Sequence, residues 1–85
     1  MADHKIDLTI IVNGQPTIVE VNQNAELGSV VEKALHQTHT TGQPVDAWEL
    51  RDAAGVELDL HKKVKDFNFP PGTQLFLNLK AGVGG

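Results

Sequence analysis

The sequence contains no cysteine. That single absence excludes a disulfide framework, a cysteine-based zinc site and a thiol nucleophile, and it fits a reducing compartment. No apolar run approaches the roughly 20 residues of a membrane span. The N-terminal Met1-Ala2-Asp3-His4-Lys5 is polar, with no apolar signal-peptide segment after it, so the expected location is cytoplasmic. Basic residues are few: 7 Lys and Arg stand against 11 Asp and Glu, for a net charge of −4. A nucleic-acid binder needs a basic face that releases counterions from phosphate. The one basic cluster, Lys62, Lys63 and Lys65, is flanked by Asp59 and Asp66 and reads as a solvated loop. Neither a nucleic acid nor a membrane is expected as a partner.

Catalytic patterns are missing as well. There is no Gly-rich phosphate loop, and no spacing of serine, histidine and aspartate that points to a nucleophilic triad. His36 and His39 stand three apart with no third ligand nearby, a pattern too sparse for a metal site. The expectation is a protein with no enzymatic activity, metal or cofactor of its own.

What is present suffices for one domain. A chain of 85 residues, 40% apolar, hides on the order of 60% of its unfolded surface. Lys5-Ile6-Asp7-Leu8-Thr9-Ile10 alternates polar and apolar, the period of a strand with one buried face, so Ile6, Leu8, Ile10 and Val12 point inward. Asn13-Gly14 follows and suits a type I′ turn, in which both central residues need positive φ. Thr17 to Val21 resumes the alternation with Val19 and Val21 inward, and Pro16 belongs at the start of that strand. Asn24 is the expected helix N-cap, with Glu26 in the first turn. Leu27, Val30, Val31, Ala34 and Leu35 then form one apolar helical stripe. Gly28 within it is expected to let the helix approach the sheet. Gly42 is the expected left-handed residue at the helix end, with Pro44 beyond.

Ala47 to Arg51 alternates again, with Trp48 and Leu50 inward. Asp52-Ala53-Ala54-Gly55 reads as a turn and Val56 to Leu60 as a short strand burying Leu58. One helical or 3₁₀ turn within 61–68 buries Val64 and Phe67. Pro71-Gly72 centres a rigid turn, and Gln74 to Lys80 is the last strand, with Leu75, Leu77 and Leu79 inward. The alternation leaves Phe76 outward, where an exposed aromatic is a candidate docking anchor. Strand, strand, helix, strand, short strand, turn, strand is the order of an α+β two-layer domain: a mixed sheet of four or five strands with one main helix across one face. Residues 1–4 are expected to be a flexible N-terminus, 5–79 the folded domain and 80–85 a flexible tail.

The residues carry a resemblance further. Val64-Lys65-Asp66-Phe67-Asn68-Phe69 resembles the leucine-Ser-Asp-Tyr-Asn-Ile segment of ubiquitin, and Leu58 to Leu79 can be laid on ubiquitin without a gap. Thr17 to Val21 looks like the second strand of its hairpin, Leu27, Val30 and Ala34 match its helix stripe, and the sequence ends in Gly84-Gly85. The resemblance, over residues 5–85, is to the ubiquitin-like β-grasp family, as a divergent member of which bacterial ubiquitin-like proteins are one instance. It departs from ubiquitin in two places. The tail, Lys80-Ala81-Gly82-Val83-Gly84-Gly85, is one residue longer and lacks arginine, which implies a dedicated activating partner. The outward positions of ubiquitin's receptor-binding strands correspond to Glu49, Arg51, Phe76 and Asn78, of which only Phe76 is apolar.

The resemblance implies acyl chemistry at the Gly85 carboxylate. A free carboxylate is a poor acyl donor until a partner enzyme adenylates it with ATP. Glycine has no Cβ, so Gly84-Gly85 makes the thinnest chain for a narrow active-site channel and adopts any φ/ψ. Contacts along Lys80, Ala81, Gly82 and Val83 would offset an ordering cost of about 1–2 kcal/mol per residue. Three functions stay open. The first is a protein modifier conjugated to target proteins after activation by an adenylating (E1-like) enzyme, with an E2-like carrier and a deconjugating peptidase as further partners. The second is a sulfur carrier bearing a terminal thiocarboxylate, and the third a β-grasp binding module that is never activated.

Overall fold

The computed structural model describes residues 4–81. Its elements are β1 (Lys5–Val12), β2 (Gln15–Asn22), α1 (Leu27–Gln37), β3 (Trp48–Arg51) and β4 (Gln74–Leu79), with 3₁₀ turns at Val45–Ala47 and Val64–Phe67. The strands form one four-stranded sheet in the order β2-β1-β4-β3. The two central strands run parallel and both outer pairings are antiparallel. This is the expected α+β arrangement.

The hairpin follows from its turn. Asn13 and Gly14 take φ of 50° and 85°, as a type I′ connection requires, and Val12 pairs directly with Gln15. Pro16 lies on an edge strand, where a missing N–H is tolerated. The period-two reading of the core holds: Leu8, Ile10 and Val12 are buried against Val19 and Val21. Leu75 and Leu77 of β4 and Trp48 and Leu50 of β3 complete the inner face, while Ile6 and Leu79 are half-buried at its margin. The stripe of α1, Leu27, Val30, Val31, Ala34 and Leu35, is buried over this face. Val64 is fully buried, with Phe67 packed against the core and stacked on Phe69 at 5.2 Å. Pro71-Gly72 forms the expected turn: Gly72 has φ 82° and the Thr73 N–H reaches the Pro70 carbonyl at 3.1 Å.

Four local expectations are corrected. Asn24 does not cap α1. The cap position is Glu26, whose side chain makes no capping hydrogen bond, and the first turn holds no acidic residue. The orphan N–H groups of the helix start are met from far along the chain: Leu27 donates to the Lys62 carbonyl and Gly28 to the Leu60 carbonyl, both at 2.9 Å. A backbone segment of 60–62 laid across the helix end replaces a side-chain cap. Gly28 borders that segment rather than the sheet, and a Cβ there would make only an ordinary 3.5 Å contact with the Leu60 carbonyl oxygen.

The left-handed residue at the helix end is His39, with φ 55°, rather than Gly42. Thr40 N–H bonds to the Leu35 carbonyl at 2.9 Å and His39 N–H to the His36 carbonyl at 3.1 Å, the paired bonds of a Schellman motif. Finally, Val56 to Leu60 is not a strand. It touches the sheet edge through an isolated Arg51–Glu57 bridge and a 2.8 Å bond from Leu58 N–H to the Leu50 carbonyl. Leu58 is buried as expected, and one anchored side chain suffices without a ladder.

Candidate functional site: the open sheet face and the root of the tail

Because α1 covers one face of the sheet, side chains at alternate positions on the other face are left open. Glu49, Arg51, Phe76 and Asn78 all lie there. The β3–β4 register sets Arg51 opposite Phe76 and Glu49 opposite Asn78, so the four expected surface residues form one patch. Its charges are largely satisfied internally. Arg51 Nε donates to Glu49 Oε2 at 2.9 Å, and its Nη1 donates to the Gly55 carbonyl at 2.7 Å. The hydrogen bond that Arg51 donates to Glu49, and then the Glu49 charge, raise the Arg51 guanidinium pKa above its ordinary value. Arg51 is thus a braced side chain that fixes the 52–55 turn as much as a free cation. That turn closes on Asp52, whose Oδ1 accepts from Ala54 N–H and Val56 N–H at 2.9 and 3.0 Å.

Phe76 is half-buried rather than fully exposed. The parallel β1–β4 register sets it beside Ile11, a neighbour that the sequence reading did not single out. Ile18, on β2, is 66% exposed and shares the same open face. The signal for both lay in the alternation itself: with Ile10, Val12, Val19 and Val21 inward, Ile11 and Ile18 are apolar residues at outward positions.

The tail leaves from the end of β4. Lys80 N–H still bonds to the Ala47 carbonyl at 3.0 Å and Ala81 is exposed. The expected activation residues Gly84 and Gly85, and the tail contacts Gly82 and Val83, lie outside the described residues. At the root of the tail is a surface hollow of about 210 Å³ whose lining includes Lys80, Trp48, Asp46, Glu49, Glu57 and Asp59. Besides Glu49, which is paired with Arg51, three carboxylates stand against Lys80 and His61 and leave it electronegative. The Nε1–H of the buried Trp48 has no hydrogen-bond partner among the described residues. His36 and His39 belong to the helix end and its Schellman turn, and among the described residues no group of three potential metal ligands assembles. No helix among the described residues is long and apolar enough to cross a membrane.

Comparison with known proteins gives both a family and a fold. A family described as "Protein of Unknown function (DUF2604)" matches residues 1–85. The chain belongs to that family. A curated relative from Sinorhizobium fredii, the uncharacterized protein y4jI, is 51% identical over 81 residues. That match takes in 95% of this chain but 62% of the relative, so the chain spans less than two thirds of that protein's length. Among solved structures, a de novo design based on ubiquitin aligns at a TM-score of 0.78 and 21% identity, covering 99% of both chains. Ubiquitin from Caldiarchaeum subterraneum aligns at 0.74 and 24% identity, over 95% of this chain and 99% of that one. A ubiquitin-like domain of an Arabidopsis thaliana protein aligns at 0.73 and 21%, over 94% and 82%. This DUF2604 chain has the ubiquitin-like β-grasp fold, as the resemblance in its residues implied.

Proposed function

We propose that the protein is a ubiquitin-like modifier, adenylated at the Gly85 carboxylate by a partner enzyme and then joined to nucleophiles on target proteins. The carboxylate is available either as the chain end or after a peptidase cuts behind the glycine pair. The observation that carries this reading is the pairing of a ubiquitin-like fold with Gly84-Gly85 a few residues beyond its last strand. The position of the pair supports it: β4 is a central strand, so the polypeptide that leads to the glycines departs from a rigid base.

In this reading the protein supplies an acyl group and a docking surface, and has no catalytic residues, cofactor or metal of its own. ATP is consumed on the activating enzyme, in the cytoplasm. The electronegative hollow beside Lys80 is where a tail-reading enzyme with basic residues would rest. An E2-like carrier, target proteins and a deconjugating peptidase complete the set of partners.

Intact-mass spectrometry in the native host tests the proposal. Adducts to protein amines or hydroxyls are expected for the full chain and absent from a variant lacking Gly84 and Gly85, with far-UV circular dichroism showing that the variant folds. A mass gain of about 16 Da on the free protein, with no protein adduct, would instead identify a thiocarboxylate carrier. Unmodified protein alone, with the pathway active, would leave a binding module.

A further inference from the structure

The open sheet face extends well beyond the residues near the tail. Along β1 and β2 its outward residues form successive cross-strand pairs: Asp7 with Glu20, Thr9 with Ile18, and Ile11 with Pro16. Phe76 of β4 lies beside Ile11. Ile18 is 66% exposed, Pro16 is exposed, and Ile11 and Phe76 are half-buried. An apolar strip therefore crosses three adjacent strands, a width of about 10 Å at the ordinary strand spacing.

Next to this strip, Asp7 and Glu20 stand directly opposite one another, and both are exposed. Like charges at opposed positions of an antiparallel pair destabilise it. Among the described residues neither carboxylate has an ion-pair partner within 4 Å, the one such pair being Arg51 with Glu49. Lys33 does not relieve the pair with a salt bridge: its Nζ donates to the Glu20 backbone carbonyl at 2.8 Å. Lys5 shares the face two residues before Asp7, opposite Asn22, and is likewise unpaired. The fold thus keeps a repulsive carboxylate pair one step from an exposed isoleucine.

Strand addition is not how a partner uses this region, because Gln37 and Lys33 already occupy the outward carbonyls of Ile18 and Glu20. A second copy of this chain fits less well, since it would bring two carboxylates and only one lysine, Lys5, on the same face of a protein of net charge −4. What complements both features is an apolar surface with a cation beside it.

We propose that the open sheet face around Ile18, Ile11 and Phe76 docks a basic amphipathic helix, whose apolar side covers the strip while one Lys or Arg sits between Asp7 and Glu20. The dimensions agree. Alternate residues along a strand are about 6.8 Å apart, and one helical step of four residues rises about 6 Å. A helix lying along β1 and β2 therefore sets a cation over Asp7–Glu20 and, four residues on, an apolar side chain over Ile18. This surface is centred on β1 and β2, shares only Phe76 with the Glu49–Arg51–Asn78 patch, and does not depend on chemistry at Gly85.

The test is an NMR titration of the ¹⁵N-labelled full chain with a synthetic helical peptide. The probe carries leucines on one face, glutamine and alanine elsewhere, and one lysine four residues before the first leucine. Its control replaces that lysine with glutamate. Amide shifts are expected to concentrate at residues 7–11, 16–20 and 76, with the lysine peptide bound at least tenfold more tightly than the control. A D7N/E20Q variant is expected to bind both peptides alike while its Tm rises or holds, separating loss of binding from loss of fold. Ile18→Ser, at an exposed position, should weaken the lysine peptide at least tenfold. The proposal is overturned by equal affinity for both peptides on the unaltered protein, by shifts centred on α1 or the Lys80 hollow, by no binding, or by self-association through this face in sedimentation.

Discussion

Gln37 donates from its side-chain Nε2 to the backbone carbonyl of Ile18 at 2.7 Å, reaching from the last turn of α1 onto the free edge of β2. The same nitrogen lies 2.8 Å from Thr17 Oγ1, and Lys33, one turn earlier, donates to the Glu20 carbonyl at 2.8 Å. Exposed strand edges template aggregation, and here the helix that covers the core also blocks the edge. At the opposite edge, the Leu58 N–H on the Leu50 carbonyl does the same for β3. A K33A/Q37A variant should therefore lose about 1–2 kcal/mol of folding stability from the exposed bonds removed. It should also self-associate at concentrations where the unaltered protein is monomeric, as checked by urea denaturation and light scattering.

Gly28 is a helical glycine with room for a side chain. An added Cβ would meet the Leu60 carbonyl oxygen at 3.5 Å, an ordinary contact, and the residue is not among those with positive φ. Gly28→Ala is expected to raise stability by about 0.5–1 kcal/mol through helix propensity and a less flexible unfolded chain. Gly28→Val would press against the 60–62 segment that caps the helix and should lower it. Thermal unfolding of the two variants decides the matter.

His39 holds a left-handed conformation, φ 55°, at an exposed helix end. A residue with a Cβ is disfavoured there by about 1 kcal/mol. His39→Gly should stabilise by up to that amount, and His39→Val should destabilise by more. A metal-binding role would instead appear as stabilisation of the unaltered protein by added Zn²⁺.

Trp48 fills the core at 2% exposure but leaves its Nε1–H without a partner among the described residues. Trp48→Ala is expected to cost about 3–5 kcal/mol. Trp48→Phe should cost markedly less, because it removes an unpaired donor whose burial is itself unfavourable by about 1–3 kcal/mol. Denaturant midpoints of the two variants give the comparison. A Phe variant as unstable as the Ala variant would mean that the indole nitrogen has a hydrogen-bond partner in solution.

Much of this fold is written in short-range patterns. Asn13-Gly14 selects its turn because few residues accept two successive positive φ angles. The helix stripe and the alternation of β1, β2 and β4 are periodicities of one chain segment, so they could be read residue by residue. Elsewhere the local signal is overridden, either by a distant segment or by a hydrogen-bonded turn that residue type does not announce. Asn24 looked like a cap because asparagine usually provides one, yet the carbonyls of Leu60 and Lys62 take that place. Gly42 looked like the helix stop because glycine accepts positive φ without cost, yet His39 accepts it under the two hydrogen bonds of the Schellman turn. The strand expected over Val56 to Leu60 fails because its one buried residue, Leu58, is anchored by a single backbone bond.

The candidate site divides along the same line. Gly84-Gly85 and the outward positions of Glu49, Arg51, Phe76 and Asn78 are properties of residue type and period, and the sequence alone determined them. Which strands become neighbours was decided by tertiary structure. Placing β4 parallel beside β1 sets Phe76 next to Ile11, whereas the Asn13-Gly14 turn already fixes the hairpin register that sets Asp7 against Glu20. No local pattern encodes the β1–β4 register between distant segments, because it is selected by how Leu75 and Leu77 pack with Leu8, Ile10 and α1 in a single buried core.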